Sequence, residues 1–503
     1  MKNLPEIRIG LIAGSTDWMP QDVAVANRQK LMARFREVYG DEPVYECPIV
    51  ITDNEVSVKR AAKDVQKAEC NAVALYYANY GPESAGTLFA DRFEGPVMLF
   101  GGAEEGEEPF SRERKDAMTG LINACYALKL RGTNAYIPDS PVGTIAQCAD
   151  MLHEFLAISK TLIALKDLKV ISIGPRPSSY LAACAPNHLL YDLGIEIAEY
   201  SELELFNSFC KHAGDARIEK VASEMAEELG QSGNKYPSSL EKFAQYEVTI
   251  EDWIRNHKGN RKLVTMTSTC WPAFPLNFGF VPCYVNSRLT GKGFPVACEV
   301  DVYGAVSEFI GQSISDDIVT ILNLNNNIPE SIFEEKIKGK TFNGKQYSSG
   351  DLFLGYHCGV TCSKKMKSCS HELHFVNNLL IGEEQSKGTI QGEVVPGPVT
   401  LFRLQGNRDG KLQAYVCQGQ VLPVSIDTYG GRGIIAVPEF ERFFRNVVLE
   451  KQFPNHAAVI FGHYGKELVN ILHLLGISEV EYNHPRNVPY KSENIFHTND
   501  NWY

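Results

Sequence analysis

The sequence predicts an α/β protein: two parallel-sheet domains followed by a β-rich, barrel-like domain with terminal helices. Three observations carry this reading. Up to about Ile337, short continuous apolar runs alternate with segments of helical spacing, the mark of strands covered on both faces. After that point the runs become short and alternating, broken by Gly, Pro and Asn-Arg-Asp-Gly, as in an antiparallel meander or barrel. The length, 503 residues, exceeds the roughly 250–300 at which one hydrophobic core stops growing.

The elements follow in order. "IRIGLIAG" is the first strand, and Gln21 to Tyr39 has helical spacing through Val23, Val25, Leu31, Met32 and Phe35. "VYECPIV", a helix over Val56 to Glu69, "NAVALYY" and "PVMLF" continue the alternation. None of the following loops is a GxGxxG or GxxxxGK[ST] motif, so a nucleotide site has no support. A long helix, about Gly143 to Leu165, leads to "LKVISIG", which opens a second α/β unit. That unit runs on through "NHLLYDLGIEIAEY", an acidic helical region near Asp215 to Leu229, and a loop or hinge, "SGNKYPSSLEK". "RKLVTMTSTCWP", "FPVACEVD" and "DDIVTILNL" follow as strands. "GTIQGEVVPGPVTLFRLQGNRDGKLQAYVCQGQVLP" is the β-rich part, and helices near Val437 to Phe444 and Lys466 to Leu475 close the chain. The expected domains are residues 1–166, 167–345 (carrying the first site residues) and 346–503.

Bulk properties exclude several classes. A net charge of −12 repels phosphate backbones, so nucleic acid is not an expected partner. No apolar run approaches the roughly 20 residues that span a bilayer, and the N-terminus lacks a signal-peptide pattern. The expectation is a soluble, cytoplasmic protein. Its 13 cysteines, odd in number and scattered, are not a disulfide framework.

Several residues could carry chemistry. Glu299 and Asp301 follow the apolar "FPVAC", and ligand sites in parallel sheets lie at such strand ends. If the strand continues, alternation points both to one side. Glu299 there is costly unless paired or metal-bound, whereas Asp301 also suits the N-cap of the next helix. Trp271 follows another strand end and could stack on a substrate or simply pack. Trp18 lies in "GSTDWMPQD", the loop after the first strand, and suits a substrate loop or a plain exposed one. His357 follows "LFLGY" and His456 precedes "AAVIF"; neutral imidazole is the commonest metal ligand, though a lone buried His is more often a core residue. Cys358, Cys362, Cys369, His371 and His374 cluster in sequence, but not at a standard zinc spacing. "IVTILNLNNNIP", Ile318 to Pro329, turns from a buried strand into four asparagines within five residues. They read as turn chemistry or as the rim of a site.

"CEVDVYGAVSEFIG", "LFLGYHCG", "GPVTLFRLQ…DGKLQAYV" and "FPNHAAVIFGHYGK" resemble, in order and spacing, the L-fucose isomerase and L-arabinose isomerase superfamily, closer to a fucose-isomerase-like branch. "VISIGPRPSSY" fits as the opening of its second domain. The resemblance implies a three-domain subunit, a homo-oligomer (trimer or hexamer), and Mn²⁺ or another divalent cation. It implies Glu299, His357 and His456 as metal ligands, with the family's second acid replaced by Asn323. An aldose–ketose isomerase moves a proton between C1 and C2 through an ene-diol, with base, acid and Lewis acid acting together. Asn323 can offer a carbonyl oxygen to a metal but cannot take a proton. Glu299 then remains the one matched carboxylate, with Asp301 as a possible substitute. A substrate that brings its own negative charge, phosphorylated, carboxylated or sulfonated, suits such a site. A non-catalytic sugar-binding or regulatory protein on the same scaffold is the competing reading, and a zinc-stabilised protein a weaker one.

Overall fold

The computed structural model describes residues 3–105, 112 and 114–494. The chain forms two compact units, Leu4–Ala164 with His473–Gly476, and Leu165–Leu472 with Asn3 and the segment from Ile477 onward.

The N-terminal unit is built on five strands: β1 (Ile9–Gly14), β2 (Val44–Ile51), β3 (Ala72–Tyr77), β4 (Val97–Gly102) and β5 (Val142–Gly143). They lie in the order β2-β1-β3-β4-β5, all parallel. Every residue of β1, β3 and β4 is buried, because helices cover both faces of a parallel sheet. Trp18, in the loop after β1, is 63% exposed, with its ring 5.2 Å from that of Tyr80.

The second unit opens with a parallel sheet of order β7-β6-β8-β9: β6 (Leu168–Gly174), β7 (Glu196–Ser201), β8 (Leu263–Thr267) and β9 (Val296–Ala297). The loops leaving the carboxyl ends of β6, β8 and β9 carry Tyr180, Trp271 and Glu299. The carboxyl edge of an open parallel sheet is where such folds place ligands, because the loops there diverge around a crevice.

The remaining strands are β10 (Thr320–Asn326), β11 (Leu352–His357), β12 (Met366–Leu373), β13 (Lys387–Val394), β14 (Gly397–Gly406), β15 (Leu412–Val421), β16 (Gly431–Ala436), β17 (His456–Phe461) and β18 (Glu479–Tyr482). Their order is β12-β13-β16-β11-β10-β17-β14-β15-β18, and β15 also pairs with β16. That extra pairing closes β16-β11-β10-β17-β14-β15 into a ring, which satisfies the edges an open sheet would expose. The predicted architecture is thus observed, with one difference of membership. β10, read from sequence as another strand of the second α/β unit, pairs antiparallel with β11 and β17 inside the ring. A short apolar run such as "IVTIL" suits either kind of buried strand, so periodicity alone does not choose.

Among the described residues no helix is long and apolar enough to cross a membrane. All 13 cysteines are free thiols.

Candidate active site

The site forms where the carboxyl edge of the second sheet meets the ring. β9 stops at Ala297, so Glu299 and Asp301 are not on a strand, and the shared direction expected from alternation does not apply. Glu299 and Val300 instead adopt left-handed backbone, φ +59° at both. That conformation is costly for a β-branched residue, on the order of 1–3 kcal/mol, and persists only where the surroundings fix it. Here the Val300 N–H donates to Ser268 O (3.1 Å), and the Asp301 N–H to Cys298 O (3.1 Å). The turn swings Glu299 out of the line of β9 while Asp301 starts the helix Val302–Ser315.

Asp301 is the N-cap of that helix, accepting from the Gly304 N–H at 2.9 Å. It also receives Arg403 Nη1 at 2.5 Å and Nη2 at 2.9 Å, and pairs with His456 Nδ1 at 2.9 Å. Burial raises its pKa, but Arg403 and His456 outweigh burial and hold the carboxyl well below the usual range. Its side chain is 2% exposed against 20% for Glu299. The Asp301 oxygens are engaged by the Gly304 N–H, Arg403 and His456, which leaves Glu299 as the more accessible of the two acids. The helix-capping alternative is the one observed.

His456, first residue of β17, is held at both nitrogens. Nδ1 meets Asp301; Nε2 lies 3.3 Å from Glu299 Oε2 and 3.2 Å from the Tyr180 hydroxyl. Burial lowers its pKa, but the two carboxylates overcome this and raise it to about 9. Burial pushes the Glu299 carboxyl up, but the hydrogen bond and charge of His456, with smaller contributions from its other neighbours, outweigh burial and shift it down. In the metal-free chain the three groups form an imidazolium clamped between two carboxylates. The His456 contribution to stability is therefore full below the ordinary histidine pKa of about 6.5 and fades as pH rises through about 9. Urea unfolding of metal-free protein is expected to show a loss on the order of 2–3 kcal/mol between pH 6.5 and 9.5 that His456→Gln removes; equal slopes for both proteins would refute the clamp.

Asn323 sits opposite His456 in the β10–β17 ladder, which sets the two side chains side by side on one face. Its Oδ1 is buried and accepts no hydrogen bond, a costly state for an amide oxygen. His357, the last residue of β11, has its ring 5.6 Å from that of His456. The N–H groups of Gly359 and Val360 point at its Nδ1, both at 3.4 Å. The neutral ring therefore carries its proton on Nε2, and burial, followed by the charge of His456, pushes its pKa to about 3. As with His456, a cation at His357 Nε2 would have to displace that proton.

Trp271 packs on a small core that includes Cys270, Ala297 and Cys298, the last of which precedes Glu299 in the chain. The cysteine–histidine segment does not assemble a zinc site. Cys362 is buried beneath Gly291, and His371 lies among Tyr236, Phe243 and Tyr284. His374 caps the helix Phe375–Ile381 through Nδ1. Among the described residues no three His, Cys, Asp or Glu side chains are grouped to hold a metal ion. The Glu299–His456 pair gains its third neighbour from an amide, Asn323.

Sequence reasoning missed Tyr180, Asn455 and Arg403. The Tyr180 hydroxyl donates to Asn455 Oδ1 at 3.0 Å beside His456. Arg403, 1% exposed in β14, had a legible signal: an arginine inside "VTLFRLQ" must find a buried partner.

The similar proteins place this acid–histidine cluster in an enzyme of the aldose–ketose isomerase class. Residues 10–166 match the fucose/sulfoquinovose isomerase N-terminal domain, and residues 355–483 the L-fucose isomerase C-terminal domain. The chain is similar to the sulfoquinovose isomerase of Clostridium sp. (strain MSTE9), 22% identical over 402 residues, covering 78% of this chain and 81% of that protein. The sulfoquinovose isomerase of Alkalicoccus urumqiensis is 22% identical over 395 residues, with the same coverages. That of Priestia aryabhattai is 23% identical over 330 residues, 65% of this chain and 67% of that protein. The chain belongs to the L-fucose isomerase and L-arabinose isomerase superfamily, in its fucose-isomerase-like branch.

Proposed function

We propose that this chain interconverts a sulfonated aldose and its ketose with the help of a divalent cation such as Mn²⁺. The observation that carries the proposal is the His456 clamp beside the unpartnered oxygen of Asn323. Asp301 fixes Nδ1–H, so Nε2 is turned toward Glu299, the arrangement by which a carboxylate orients a metal-binding histidine. Glu299, His456 Nε2 and Asn323 Oδ1 form a hard oxygen and imidazole set that fits Mn²⁺. When bound, the cation supplies Lewis-acid stabilisation of charge developing on the substrate oxygens.

The chain's own residues do the rest. Glu299 is the ionised acid with exposed surface; it takes the C2 proton and returns it at C1, while the O2 hydroxyl proton passes to O1 as hydroxyl and carbonyl exchange places. Tyr180 donates at the same edge and restrains Glu299 and His456. The site has one carboxylate fewer than a matched pair of acids would give, which favours a substrate carrying its own negative charge. The relatives' names point to the sulfonate among such groups. Trp271, in the loop after β8, is the side chain of this unit that we assign to substrate contact. The oligomer implied by the family is a trimer or hexamer.

Metal must displace the proton on His456 Nε2, so affinity is expected to rise with pH toward about 9. The direct test is proton NMR in D₂O with Mn²⁺-loaded protein and sulfoquinovose, scoring ketose formation and deuterium at the transferred position. Neutral L-fucose turning over faster would sink the anionic-substrate reading. Asn323 favours a second reading, a sugar binder without turnover. Asn323→Asp is expected to tighten Mn²⁺ by at least about tenfold, ~1.4 kcal/mol, by calorimetry. Unchanged affinity would remove Asn323 from the metal set; turnover appearing only in the variant would favour the binder.

A further inference from the structure

The asparagines beyond Asn323 line a cavity of their own. β10 carries a bulge: Leu324 pairs with Gly355 and Asn326 with Leu354, leaving Asn325 as the extra residue. In a regular strand Asn325, Asn326 and Asn327 would alternate between faces. With the bulge, and with the strand ending at Asn326, all three line one cavity of about 360 Å³. That lies toward the lower end of the roughly 300–1,000 Å³ of small-molecule sites. Asn323 is not part of this lining.

The other wall is aromatic. Phe353 and Phe440 stack at 4.3 Å, and Phe440 and Phe444 at 5.9 Å; Phe444 keeps 37% exposure. The lining holds one charge, Glu441, whose carboxylate lies over Gly350; a Cβ there would come within 2.9 Å of Oε2. No lysine, arginine or histidine is among the described residues of the wall. Three amides supply donors and acceptors without charge. An exposed ring suits the C–H face of a sugar, and a lone carboxylate accepts hydroxyl protons while repelling anions.

We propose that this cavity binds a neutral, monosaccharide-sized polyhydroxy compound, at a site separate from the Glu299–His456 cluster and independent of the substrate assigned above. The test is saturation-transfer NMR on the full chain with D-glucose, D-galactose, L-fucose and D-glucuronate, repeated with Phe444→Ala and Asn326→Ala. At least one neutral sugar is expected to bind saturably, and each variant to weaken it tenfold or more. Glucuronate is expected to show no Phe444-dependent binding, and the aldose–ketose rate to stay unchanged. Asn326 is exposed, so its variant carries the test if Phe444→Ala misfolds. Three results would overturn the proposal: neutral sugars that do not bind or that ignore both substitutions, glucuronate binding with the same Phe444 dependence, or no sugar binding together with a Phe444-dependent self-association in sedimentation, which would make the wall a contact between copies.

Discussion

Glu299→Gln is expected to lower kcat for aldose–ketose interconversion by about 10²–10⁴-fold, the usual weight of a positioned general acid–base. The amide keeps the shape of the side chain but cannot take a proton. It also removes one of the two carboxylates that hold the His456 proton, since Glu299 Oε2 lies 3.3 Å from His456 Nε2. Metal content should fall with activity. The left-handed turn at Glu299 and Val300 is held by backbone hydrogen bonds, so the circular dichroism spectrum should not change. A variant retaining a tenth of the wild-type kcat would show that another group moves the proton.

Arg403→Met is expected to cost about 3–5 kcal/mol in urea unfolding, the price of leaving a buried charge without its partner. Arg403 and Asp301 are 1% and 2% exposed and share two short hydrogen bonds, and Gln405 Oε1 accepts from the guanidinium at 2.6 and 3.1 Å. The loss should reach the site as well. Without Arg403, Asp301 takes up a proton more readily and grips His456 Nδ1 less firmly. Adding Asp301→Asn to Arg403→Met should recover much of the stability, because the unpaired charge is gone, but not the activity. Equal urea midpoints for Arg403→Met and the wild type would contradict a coupled buried pair.

Much of the architecture is legible in local patterning. Continuous apolar strands between amphipathic helices mark the two parallel sheets, and alternating runs broken by Gly and Pro mark the ring. Glu299 and His456 are legible as polar residues at the edges of apolar runs, where burial demands a partner. Asp301 is legible as a helix cap, and its occupation by Arg403 is not, because 102 positions separate the two in sequence. His357 shows the same limit. Its residue type is legible, and the N–H groups of Gly359 and Val360 that face its Nδ1 are not, because only the turn after β11 brings them there.

By itself, then, the sequence determined the residue types, the order of the segments and the two candidate acids after β9, since these depend on local composition and periodicity. The tertiary structure alone decided which side chains meet. It drew β10 from its expected place in the second sheet into the ring, set Asn323 beside His456, and buried Arg403 against Asp301. It also turned Asn325, Asn326 and Asn327 to one cavity through a bulge. Each outcome depends on strand register and long-range burial, and register is fixed by how whole faces pack against one another.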